Sequence, residues 1–114
     1  MEVKTVRVLV LHEGDWLVAQ CLEYDIAAQA RSIENLAREF TKVFVEHLIW
    51  AQERNEEPFV DVGPAPERYQ NRWQDVRKFA DKVPLSLPPD EAFDKLPCGR
   101  REVLERAFAE LGMV

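Results

Sequence analysis

Alternation of apolar and polar positions opens the chain. Within residues 2–12, Val6, Val8 and Val10 fall on one side, and Thr5, Arg7, Leu9 and Leu11 on the other. A period of two among β-branched residues predicts a strand with one well-buried face. His12-Glu13-Gly14-Asp15 is a turn, with Gly14 free to take a positive φ. Residues 16–23 alternate again, with Trp16, Val18, Gln20 and Leu22 set against Leu17, Ala19 and Cys21. Two such runs around a tight glycine turn predict an antiparallel hairpin. Ile26-Ala27-Ala28-Gln29-Ala30 predicts a third strand. Alanine is a poor strand former, so tertiary context has to hold it there.

The period then changes. Ile33, Leu36, Ala37, Phe40, Val43, Phe44, His47, Leu48 and Ala51 recur at helical spacing and form one apolar arc. Ser32 is placed to cap this helix, which runs to about Arg54 and packs on the valine face of the sheet. Val45 and Ile49 are assigned to its opposite, polar side, and Trp50 to the border of the arc. These three residues mark a second contact surface. Asn55-Glu56-Glu57-Pro58 ends the helix. Phe59 to Val62 reads as an edge strand or an extended linker. Tyr69, Trp73, Val76, Ala80 and Val83 predict a second amphipathic helix over 66–82, with Pro66 in its first turn. Leu85-Ser86-Leu87, bounded by Pro84 and Pro88, is restricted to a sheet edge. Asp90 to Leu96 predicts one or two helical turns. Val103, Leu104, Ala107, Phe108 and Leu111 predict a last helix from Arg100 to Leu111, with Gly112 as its stop.

The expected fold class is therefore α+β: a three-stranded antiparallel sheet plus a long helix (β-β-β-α), followed by a helical C-terminal extension. Residues 1–57 form the module and 58–114 the extension packed on it, in one compact domain. A length of 114 residues suits one core without staples.

Charge narrows the partners. A net charge of −6 argues against direct nucleic-acid binding, which rewards clustered Lys and Arg. It favours encounter with a basic protein. No apolar run approaches the ~20 residues of a membrane span, and Met1-Glu2-Val3-Lys4-Thr5 has no signal-peptide layout. A cytoplasmic location is expected, with Cys21 and Cys98 as reduced thiols.

The chain is poor in candidate chemistry. His12 and His47 have no partner at metal-ligand spacing, and His47 reads as a core histidine with one hydrogen bond. Glu23 and Asp25 share a strand face by their spacing of two, with Asp15 at the hairpin turn. A metal-dependent nuclease would need all three on one cation. No phosphate-binding glycine loop or nucleophile motif is present. The reading implies no catalytic residue, no cofactor and no metal. Trp16, Trp50 and Trp73 are interface anchors if exposed. Trp73 is assigned to the core, leaving Trp50 as the interface candidate.

At residues 3–54 the chain resembles the HicB family of antitoxins. The resemblance is carried by Val6-Arg7-Val8-Leu9-Val10, by Gly14 through Glu23, and by Ile26-Ala27-Ala28-Gln29-Ala30-Arg31-Ser32 leading into Ile33-Glu34-Asn35-Leu36. It implies a partial RNase H-like fold: a three-stranded antiparallel sheet, a helix and a further short strand, without nuclease activity. It implies a protein partner, a small basic HicA-like mRNA-cleaving toxin, and a tendency to oligomerise. The chain departs from the family where Ala30-Arg31 replaces a glycine before the long helix. The residues after 58 also lack the family's basic DNA-binding tail. The expectation is a stand-alone, non-catalytic protein-binding module with Val45, Ile49 and Trp50 as partner contacts. The alternatives are a self-associating oligomer through those residues, or a residual RNase H-like nuclease through Asp15, Glu23 and Asp25.

Overall fold

A computed structural model describes residues 4–78, 83–85, 104 and 106–113. The N-terminal elements follow the sequence pattern. Strand β1 (Lys4–Glu13) turns at Gly14, whose φ is 63°, into β2 (Trp16–Cys21), and the two pair antiparallel from Val8↔Cys21 to Glu13↔Trp16. Strand β3 (Ala27–Ala30) pairs antiparallel with β2. Ser32 caps α1 (Ile33–Glu53), its Oγ accepting from the Asn35 backbone N–H at 3.2 Å.

The C-terminal half corrects the expected fold class. Among the described residues, the chain after α1 returns to the sheet and does not form a continuous helical extension. The predicted helix over 66–82 shrinks to α2 (Glu67–Arg72) and a 3-10 turn (Trp73–Asp75). Val76 is already extended, and two short pieces follow, β4 (Arg77–Lys78) and β5 (Val83–Pro84). The C-terminal part of the predicted last helix, Ala107–Leu111, belongs instead to strand β6 (Ala107–Met113), with Gly112 inside the strand and not stopping a helix. The sheet is mixed, not a three-stranded antiparallel one. Four strands form its body in the order β3-β2-β1-β6, and β4 and β5 both pair with β6. β6 runs parallel to β1, from Lys4↔Ala107 to Val10↔Met113. Cys98, the turns expected over Asp90–Leu96, and Ser86 and Leu87 lie outside the described residues.

The physical reason is the outer edge of β1. β1 carries Val6, Val8 and Val10 on one face and Leu9 and Leu11 on the other, all buried. A strand buried on both faces has to sit inside a sheet with both edges paired. Residues 107–113 satisfy helical spacing, but they alternate as well. Ala107, Ala109 and Leu111 join the main core, while Phe108 and Glu110 occupy the alternate positions. Burial against β1 decides between the two periods.

Both faces of the sheet are covered. α1 packs on the face made by Val8, Val10, Leu17, Ala19 and Cys21, with Leu36, Phe40, Phe44, Val45 and Leu48 pointing in. The chain after α1 crosses to the other face, where Ala65, Tyr69, Trp73 and Val76 pack on Leu9, Leu11 and Leu22. Polar bonds fix that crossing. The Asp25 backbone N–H donates to the Gly63 carbonyl at 2.8 Å, Ala65 N–H to the Leu22 carbonyl at 3.1 Å, and Gln70 Nε2 to the same Leu22 carbonyl at 2.7 Å.

Candidate functional site

Among the described residues, two of the three exposed large apolar side chains, Trp50 and Val60, lie at the C-terminal end of α1. The helix closes at Arg54, whose backbone N–H donates to Trp50 and Ala51 carbonyls at 3.2 Å. Asn55 takes a left-handed φ of 54°, which asparagine tolerates well. The chain then folds back so that Phe59 returns to the helix. Phe59 holds a φ of 63°, strained for a bulky residue. The residue is buried, at 7% exposure. It stacks on Tyr24 at 4.2 Å between centroids, lies 5.0 Å from Phe44, and stacks on His47 at 5.5 Å. Burying one such ring is worth ~2–3 kcal/mol, against a cost of ~1–3 kcal/mol for the strained backbone. Aromatic packing thus offsets the turn that shapes the site.

His47 is fixed by a hydrogen bond. Its Nδ1 lies 2.9 Å from the Val43 carbonyl. A carbonyl only accepts, so Nδ1 carries a hydrogen in this bond. The Trp50 ring meets His47 edge-on at 6.1 Å, and the Arg54 guanidinium lies 5.1 Å from the Trp50 centroid.

Two depressions share His47 and Trp50 as a common wall. One, about 110 Å³, runs between the helix end and the returning loop, with Ala51, Phe59 and Val60 among its lining residues. The other, about 310 Å³ and open, is completed by Glu46 and Ile49. Trp50 is 57% exposed and Val60 60%. Among the described residues the other exposed large apolar side chain is Trp16, which has the Arg31 guanidinium 4.9 Å from its ring centroid. The void between α1 and the sheet is about 10 Å³, too small for a ligand.

The three predicted contact residues part company here. Ile49 and Trp50 line one depression. Val45 is 1% exposed and belongs to the main core, so it is not a surface contact. α1 lies over the β3 side of the sheet, and this placement buries a wider arc than its strongest apolar residues suggest. Thr41 is buried as well, with its Oγ1 donating to the Ala37 carbonyl at 2.8 Å. His47 makes the single bond expected of it but is half-buried beside Trp50. Phe59 and Val60 were missed as site residues. Pro58-Phe59-Val60, an apolar island in an acidic run, was the available signal.

The proposed nuclease carboxylates do not converge. Glu23 is held by Arg7, whose backbone N–H donates to Oε1 and whose Nε donates to Oε2, each at 2.7 Å. Asp25 Oδ1 accepts from Gln20 Nε2 at 3.0 Å. Asp15 sits at the other end of β2, roughly 20 Å away at the rise of an extended strand. No group of three His, Cys, Asp or Glu side chains able to hold a metal occurs among the described residues. Among the described residues, no helix is long and apolar enough to cross a membrane.

Compared with family models, with curated proteins and with solved structures, the chain matches none.

Proposed function

We propose that this chain is a non-catalytic, HicB-like protein-binding module that sequesters a small HicA-like toxin. Its contact surface is the end of α1, centred on Trp50 with Ile49 and Val60 beside it. The observation that carries the reading is Trp50 itself. It is a large aromatic side chain, more than half exposed, standing between two depressions. Such a residue is a typical binding hot spot, and core packing does not account for its exposure. The β-β-β-α order over Lys4–Glu53 is in keeping with the expected module, whereas the parallel strand β6 departs from it. The mechanism is steric: the partner's active face is covered when its surface closes over Trp50.

Co-expression tests this. A HicA-like toxin encoded beside the gene is expected to kill alone and to be neutralised by the wild-type chain. Trp50→Ala is expected to lose protection and co-purification, while its unfolding free energy from urea titration stays within ~0.5 kcal/mol of wild type, as for an exposed site. If cells die with the wild-type protein present, the antitoxin reading fails. Self-association that Trp50→Ala abolishes, with no toxin bound, would assign the surface to a homo-oligomer.

A further inference from the structure

The surface around Trp50 is mainly acidic, with Arg54 at the helix C-cap as the cation among its carboxylates. The C-terminal end of a helix is the negative pole of its dipole, worth about half an elementary charge, so carboxylates there are unfavourable and cations favourable. α1 has no basic residue in its last turn and ends on Glu53. Glu46 lines one depression, and Glu57 and Asp61 line the other. All four side chains are exposed, and none is in a salt bridge among the described residues. The cation in the groove lining, Arg54, lies against the Trp50 ring. The helix end therefore gathers negative charge around an apolar seat.

Size and charge together select an occupant. The groove of about 110 Å³ between the helix end and the loop has room for one side chain, and the adjoining open depression of about 310 Å³ has room for the residues that flank it. The carboxylates repel phosphate, which disfavours nucleic acid. We infer that the groove takes a basic segment of a partner protein. An aromatic or aliphatic side chain seats against Trp50 and Phe59, and flanking Lys or Arg residues face Glu46, Glu57 and Asp61. This inference rests on the partner-binding reading above and adds the chemistry of the bound segment.

The test is a titration of the 15N-labelled full chain with two capped peptides. One carries Leu and Phe between Lys and Arg residues, and the other carries the same pair between Glu and Asp residues. The basic peptide is expected to shift the Trp50 indole N–H and the His47, Phe59 and Val60 amides, and to bind more weakly as salt rises. The acidic peptide is expected to shift none of them. Trp50→Ala should weaken the basic peptide roughly 30-fold, the effect of losing a hot spot. Glu57→Gln and Asp61→Asn should each weaken it roughly twofold to fivefold, with melting temperatures unchanged. Equal binding of both peptides, shifts scattered away from the groove, or no shift with either overturns the inference. A toxin that needs Trp50 but ignores both carboxylate variants and salt overturns the charge inference alone. A toxin indifferent to Trp50→Ala overturns the partner-binding site itself.

Discussion

Cys21 shows how a single position couples burial to pH. Its thiol lies in the main core with no exposed surface. Burial, which penalises the thiolate, pushes its pKa up from 9.0 to about 11. Below pH 9 the thiol is protonated in the folded and unfolded chains alike and contributes no pH dependence. Between pH 9 and 11 the unfolded chain releases this proton while the folded chain keeps it. Stability therefore falls as pH rises through that window, by about 2–3 kcal/mol in total. Urea titrations of wild type and Cys21→Ala, under reducing conditions at several pH values, isolate the effect. Lysines and tyrosines titrate in both proteins and cancel in the difference. The wild-type stability is expected to drop towards that of the variant above pH 9. Parallel curves would show that the thiolate is tolerated in the core.

The strand β6 illustrates what an element demands of one residue. An added Cβ at Gly112 would lie 2.7 Å from Trp73 Cζ3 and 2.7 Å from Val76 Cγ2. Gly112 is thus the point where the 3-10 turn closes onto the sheet. Gly112→Ala is expected to cost about 1–3 kcal/mol by overpacking. Trp73→Phe in the same chain should return part of that loss, because phenylalanine lacks the two indole atoms nearest the new methyl. An unchanged urea midpoint for Gly112→Ala would mean that the turn shifts freely. The same element explains what was legible in the sequence. The hairpin, the Ser32 cap and the limits of α1 depend on local signals: alternation, one turn glycine and one capping oxygen. β6 depends on pairing with a strand about 100 residues earlier, and its Ala, Phe and Leu fit a helix or a strand alone. Trp50 was readable as an anchor because it borders the apolar arc. Val45 was misplaced because the buried width of a helix is set by the sheet beneath it. Phe59 was missed because its positive φ and its aromatic neighbours exist only in the folded chain.

In the molecule as a whole, β1 ties the N-terminal and C-terminal parts of the chain together. It is paired by β2 on one edge and by β6 on the other, and both of its faces are covered. The sequence pattern predicts residues 1–57 as a module with the remainder packed on it. The sheet instead runs through both parts. Cutting at 57 removes Phe59, Leu85, Leu104, Ala107, Ala109 and Leu111 from the main core, and removes every partner of Leu9, Leu11 and Leu22 contributed by Ala65, Tyr69, Trp73 and Val76. A chain of that length buries only about 60% of its unfolded surface even when well packed. Here it would also expose the edge of β1 from Lys4 to Val10, which is a template for aggregation. The fragment 1–57 is therefore expected to show no cooperative thermal transition by circular dichroism and to self-associate as concentration rises. A monomeric fragment with a sigmoidal melt and dispersed amide resonances would show that α1 and the first three strands suffice. β6 would then be an attachment to a finished fold, and the Trp50 groove, which needs Phe59 and Val60 to close it, would be an addition to that module.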